Sequence, residues 1–127
     1  AFNEEPLEKD NLWYVNMDGR AVFKFATKAV TKSIERVMES AGVKPEEIKY
    51  VVPHQANARI VDIISRKLGI SNEKCYRNMA EYGNTSSASI PIVLNELNEK
   101  GLIERGDKLL LTGFGGGMTW GTMLISW

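Results

Sequence analysis

Histidine and cysteine occur once each in this 127-residue chain, as His54 and Cys75. A single cysteine rules out an internal disulfide and points to a reducing compartment, which makes the cytoplasm the expected location. A lone histidine and a lone cysteine do not make a zinc site, so no metal is expected. An excess of one charge sign is missing too: Lys and Arg total 16, as do Asp and Glu, and the formal net charge is zero. The chain as a whole therefore carries no bias toward nucleic acid or an anionic membrane. No apolar run nears the roughly 18 residues a spanning helix needs, and no signal-peptide pattern opens the chain. What remains, at 43% apolar and 25% charged residues, is the composition of one soluble globular domain able to bury about two-thirds of its unfolded surface. The first residue is Ala1, which fits a processed chain or a piece of a longer one.

The only histidine stands in the segment around which the other motifs group, Val51-Val52-Pro53-His54-Gln55-Ala56-Asn57-Ala58-Arg59-Ile60. A β-branched pair runs into a proline, which has no N–H to continue a central strand. After it the period changes, with Ile60, Val61, Ile64 and Leu68 on one helical face. His54 therefore sits where a strand ends and a helix begins, and ligands of α/β sheets bind at the carboxyl ends of strands. Upstream, residues 1–16 read as a poorly assigned loop with Trp13-Tyr14-Val15 as a short extended piece. Arg20 to Ala41 reads as an amphipathic helix, with Asp18 as its cap and Gly42 at its end. Its apolar face is Val22, Ala26, Ala29, Val30, Ile34, Val37 and Ala41. Lys44-Pro45-Glu46-Glu47 opens a helical turn, Tyr50 to Val52 a strand, and Asn57 to Leu68 a second helix closed by Gly69. Cys75 to Met79 reads as a short strand. Glu81 to Ser87 is a loop feeding a helix through Ile90, Val93, Leu94 and Leu97, with Pro91 tolerated near its first turn and Gly101 at its end. Lys108 to Thr112 is apolar enough for a central strand. Gly113 to Gly117 turns the chain, and Met118 to Trp127 is the last strand. The order predicts a mixed sheet covered by helices.

Few residues are candidates for chemistry. His54 has Gln55, Asn57 and the free N–H groups of a helix start beside it; the plainer alternative is a strand-end histidine satisfied by nearby backbone. Asn84 follows Gly83 and precedes three hydroxyl residues. It is either a turn or cap residue or an amide donor aimed at a developing oxyanion. The run Gly113-Phe114-Gly115-Gly116-Gly117 lacks the following helix and the Lys-Ser or Lys-Thr pair of a phosphate loop. It is a flexible hairpin or a backbone that must approach a ligand closely. Cys75 has no helix start after it to lower its pKa and reads as a small apolar residue. Lys24, Lys28, Lys32 and Arg36 step along one helix, a solvated face or, with Arg59, a docking row for an acidic partner.

Together, Val52-Pro53-His54-Gln55-Ala56-Asn57, Gly83-Asn84-Thr85-Ser86 and Gly113 through Gly121 resemble three motifs of the beta-ketoacyl-acyl carrier protein synthase III family, in that family's order. The likeness runs from about Met17 to the end. It implies the C-terminal half of a thiolase-like α/β fold, a mixed sheet covered by helices on both faces, with residues 1–127 as one domain and 1–16 at its boundary. The family's nucleophilic cysteine belongs to the other half, and Cys75 does not match it. The resemblance implies decarboxylative condensation of malonyl-acyl carrier protein with an acyl-CoA primer and no cofactor. His54 and Asn84 would be the catalytic pair, and the Gly116 N–H would face a second oxyanion. Phe23 and Phe114 would line the apolar site, and Met17, Gly19, Ala56, Asn57 and Ile60 the pantetheine tunnel. Lys24 and Arg59 would meet the carrier protein.

The partners so implied are the N-terminal half of the same enzyme, the acyl carrier protein, and a second copy in a full-length homodimer. Nucleic acid and membrane are not among them. The 127 residues alone are expected to be inactive and to expose apolar surface where the other half belongs. Two alternatives stand beside this reading. One is another condensing enzyme of the superfamily, of polyketide or quinolone type; the other is a non-catalytic carrier-protein or CoA-binding module.

Overall fold

Asp18 starts the first helix by accepting hydrogen bonds from the Arg20 and Ala21 amides, each at 3.0 Å. Helix α1 runs Gly19–Ala41, and Gly42 closes it in the left-handed conformation at φ 63°, where a side chain is disfavoured. The computed structural model describes residues 17–127; the expectations for residues 1–16 lie outside the described residues. The buried stripe of α1 is Ala26, Thr27, Val30, Thr31, Ile34 and Met38. Val37 and Ala41, expected inside, are only half-buried and exposed. Two threonines take up part of the stripe because each hydroxyl bonds back along the helix, Thr27 to the Phe23 carbonyl at 3.0 Å and Thr31 to the Thr27 carbonyl at 2.9 Å. A hydroxyl satisfied in this way can be buried at little cost.

Strand β1 (Ile48–Pro53) follows, then α2 (Ala58–Leu68), a four-residue helix α3 (Met79–Tyr82), α4 (Ser89–Glu99), β2 (Lys108–Gly115) and β3 (Thr119–Ser126). The sheet order is β1-β2-β3, with β1 parallel and β3 antiparallel to β2. β2 is thus central, as its apolar run predicts, and the mixed α/β architecture is the expected one. Its alternating residues separate two cores. Val51 and Leu110 pack with Ala26, Val30, Ile34, Ile60 and Ile64 of α1 and α2. Val52 and Leu109 pack with Val93 and Leu97 of α4. Fully burying one such aliphatic side chain contributes about 1.5–3 kcal/mol.

Two segments differ from expectation. Cys75 to Met79 is no strand: Cys75 makes an isolated parallel bridge to Val51, and Met79 already begins α3. The glycine run is not all turn either. β2 continues through Gly115, and only Gly116–Met118 curls, as a 3₁₀ turn. Among the described residues no helix is long and apolar enough to cross a membrane.

Candidate active site

β1 ends at Pro53, but its pairing with β2 carries one residue further: the His54 amide donates to the Thr112 carbonyl at 2.8 Å. The imidazole leaves the sheet edge on the α4 side. Its Nδ1 lies 2.6 Å from Ser89 Oγ, at the first residue of α4. Its ring meets Phe114 edge-on, centroids 5.4 Å apart. Burial alone pushes its pKa below the usual 6.5, because removing water disfavours the imidazolium. The ring is therefore neutral in the physiological range.

Gln55 fixes this corner. It is 1% exposed. Its amide nitrogen donates to the carbonyls of Pro53 at 2.8 Å and Tyr76 at 3.2 Å, and its Oε1 accepts from the Asn78 amide at 3.2 Å. Asn78, also buried, donates through Nδ2 to Glu96 Oε2 at 2.9 Å. A chain of bonds thus ties the residue after His54 to α4. Beside His54 in sequence, Gln55 reads as one more donor for a ligand; in the fold its amide is spent on backbone.

Asn84 is set up differently. Gly83, at φ 69° and ψ −156°, adopts a backbone that a side chain would disfavour and lets the loop leave α3. The Ser86 amide then donates to Asn84 Oδ1 at 3.0 Å. An amide N–H can only donate, so the side-chain oxygen is turned to the loop backbone and the NH2 group remains as donor. Ser86 itself sits at φ 52°, uncommon for a residue with a Cβ. Across the site, Gly117 at φ 69° and Met118 at φ 54° shape the glycine turn, and Thr119 Oγ1 donates to the Gly116 carbonyl at 3.0 Å.

These pieces surround one cavity of about 360 Å³. His54 contributes from the end of β1. Asn84, Ser86, Ser87, Ser89 and Ile90 contribute from the loop into α4, and Gly113, Phe114, Gly115 and Gly116 from β2 and its turn. Four residues read from the sequence as site residues (His54, Asn84, Phe114 and Gly116) therefore line one cavity. The others do not line this cavity. Met17 is 67% exposed, and Gly19 lies in the exposed first turn of α1. Phe23 packs against the α1–α2 core and Ile60 is buried within it. Ala56 is half-buried, and Asn57 caps α2 by accepting from the Arg59 amide at 2.9 Å. Lys24 and Arg59 are exposed. Ser89 and Ser86 were not singled out from the sequence; the hydroxyl run after Asn84 was the only signal. Cys75 is buried, and burial pushes its thiol up to about 11, so it is an apolar core residue and not a nucleophile.

Comparison with known proteins identifies the family of the chain that carries this cavity. Residues 38–127 match the family described as 3-oxoacyl-[acyl-carrier-protein (ACP)] synthase III C terminal. The chain belongs to this family. It is 50% identical over 113 residues to a beta-ketoacyl-[acyl-carrier-protein] synthase III of Clostridium acetobutylicum, covering 89% of this chain and 35% of the relative. To that of Aquifex aeolicus it is 49% identical over 122 residues, covering 96% of this chain and 40% of the relative. The crystal structure of the Aquifex aeolicus enzyme superposes with a TM-score of 0.89 at 48% identity, covering 93% of this chain and 38% of that one. The thiolase-like fold expectation is met by such neighbours. The chain spans only about 35–40% of the length of these curated relatives.

Proposed function

We propose that these residues form the C-terminal catalytic half of a condensing enzyme that joins malonyl-acyl carrier protein to an acyl-CoA primer with loss of carbon dioxide. The observation that carries the reading is the single cavity lined by His54, Asn84, Phe114 and Gly116. A cysteine thiolate from the preceding half attacks the acyl-CoA carbonyl, CoA thiolate leaves, and an acyl thioester remains on the enzyme. Malonyl thioester then loses carbon dioxide, and the electron pair of the broken C–C bond moves onto the thioester oxygen as an enolate. His54 and Asn84 each donate a hydrogen bond to that oxygen. A neutral imidazole suits this role, because it can donate without giving up its proton to bulk water. The enolate carbon next attacks the acyl-cysteine carbonyl. The Gly116 N–H faces the oxyanion formed there, and collapse expels the cysteine thiolate and releases the 3-oxoacyl product.

Donors of this kind work by being in place before the charge develops, and losing one typically costs about 2.7–4 kcal/mol of transition-state stabilisation. Lys24 and Arg59 are exposed cations, suited to an acidic carrier protein at the entrance, and the cytoplasm is the setting where these substrates would be met. Mechanism and substrates rest on the family and the cavity together. Another superfamily condensing enzyme is the weaker reading: OleA of Xanthomonas campestris superposes at a TM-score of 0.79 but with 28% identity. The test is reconstitution. The 127 residues alone should make no 3-oxoacyl product, and addition of a matching N-terminal half should restore it. Product from the chain alone, or none from a well-folded complex with any acyl-CoA, overturns the proposal.

A further inference from the structure

The contact between Ser89 and His54 has a direction that can be worked out from proton counting. Ser89 is 2% exposed. Two groups reach its Oγ: His54 Nδ1 at 2.6 Å and the backbone amide of Gln55 at 3.4 Å. The amide can only donate, so it takes a lone pair of Oγ. The serine O–H must then find an acceptor. Among the described residues Oγ has no bonded partner besides these two, so the imidazole Nδ1 is the one acceptor within reach. The opposite arrangement, with Nδ1–H donating to Oγ, would bring two N–H groups onto one oxygen and leave a buried hydroxyl proton with no acceptor. Buried polar hydrogens are rarely left so.

We infer that Ser89 is a positioning residue whose hydroxyl donates to His54 Nδ1 and so fixes the imidazole as the Nε2–H tautomer. The one remaining ring N–H is then Nε2, on a ring that lines the cavity. The placement of Ser89 makes this a rigid device. It is the first residue of α4, whose Val93 and Leu97 are wholly buried against the sheet. The bond spans 35 positions of sequence and joins the end of β1 to the start of α4. Asn84 is oriented by its own neighbour, through the Ser86 amide. Both side chains thus have their acceptor atoms occupied by a serine, His54 by the hydroxyl of Ser89 at the start of α4 and Asn84 by the main-chain amide of Ser86 in the loop before it. The bearing of this on catalysis rests on the reading of His54 as a hydrogen-bond donor; the tautomer itself does not.

The chain has one histidine, so nitrogen NMR of the labelled 127-residue chain sees one imidazole. Above the ordinary imidazole pKa, the long-range proton–nitrogen pattern should show Nε2 protonated and Nδ1 bare. The Nδ1 resonance should be shifted from the free-acceptor position by the serine hydrogen bond. Ser89→Ala should abolish that shift, and Ser89→Thr, which keeps a hydroxyl, should retain it. A protonated Nδ1 in the unmodified chain overturns the inference, as does an unchanged Nδ1 resonance in folded Ser89→Ala. Should the alanine variant not fold, the unmodified and threonine spectra decide between the two tautomers. Because activity is not the readout, a failure of the condensing-enzyme reading leaves this result standing, and a protonated Nδ1 removes the role of Ser89 whatever the activity.

Discussion

His54 and Asn84 line the same cavity, yet the molecule holds them by different means. The histidine is held from a distance. Its amide bonds to β2, its ring to Ser89, and the next residue is tied to Tyr76 and Asn78. Asn84 is exposed, and its one side-chain bond goes to an amide two residues away. The imidazole is therefore as stable as the fold around it, whereas the carboxamide depends on a single turn. On the proposed function, the two donors are preorganised with very unequal investment of structure. The larger share goes to the ring, whose tautomer, protonation and direction must all be right. A carboxamide has only its direction to set.

The largest effect should appear where the two residues are treated alike, in chemistry. In the reconstituted enzyme, His54→Ala and Asn84→Ala should each lower kcat by about 10²–10³-fold, measured as 3-oxoacyl product formed. A variant at either position with near-normal kcat would remove that residue from the site. Stability should then separate them. Gln55→Leu strands the Asn78 amide and two carbonyls inside the protein. At about 1–3 kcal/mol for a stranded buried group, a total loss of about 3 kcal/mol is expected in urea unfolding. Asn84→Ala loses one exposed bond, and should cost less than about 1 kcal/mol. Equal losses would mean that the loop is not the weak partner. Ser86→Val tests the turn itself. A β-branched residue at φ 52° is strained, so a loss of about 1–2 kcal/mol is expected, with kcat lowered through Asn84. Ser86→Gly should restore both.

How much of this was readable before the fold was known follows the same division. The ends of α1 and α2 were legible because Asp18, Gly42 and Gly69 act locally, through a cap and two left-handed glycines. The position of His54 at a strand end was legible from Pro53 and the change of period. Asn84 and the glycine turn could be named only as candidates. The structure bears out their plainer readings, a turn asparagine and a hairpin: Asn84 forms the turn, and Gly116 and Gly117 bend the chain. The proposed function would be added to the local role rather than replace it. Gln55 and Ser89 were opaque because their partners, Pro53 apart, lie 21 to 35 positions away, and nothing in a polar side chain announces burial. Thr27 and Thr31 were absent from the expected apolar face for a related reason: back-bonding to the helix lets a hydroxyl pass as a core residue. The expected strand at Cys75 failed because one bridge to Val51 and the Tyr76 amide bond to its carbonyl use up the contact. Gln55 then draws the chain into α3.

The smallest effect concerns the protons of the ring. His54 has its pKa depressed in the folded state by burial, so below its unfolded value the unfolded chain binds more protons than the folded one. Stability rises with pH wherever that holds. The contribution from the neutral buried ring is therefore fully present above about 6.5. It is lost as pH falls from there through the depressed folded value. With no second histidine, and carboxylates titrating lower, this window belongs to one residue. The thermal midpoint should fall slightly as pH drops below 6.5, and His54→Gln should flatten that part of the curve while leaving the acid limb unchanged. A midpoint that rises on acidification through the same window would mean the imidazolium has a partner in the folded chain. The neutral donor assigned to the enolate would then have to be given up, whereas Asn84, which carries no titrating group, would keep its role.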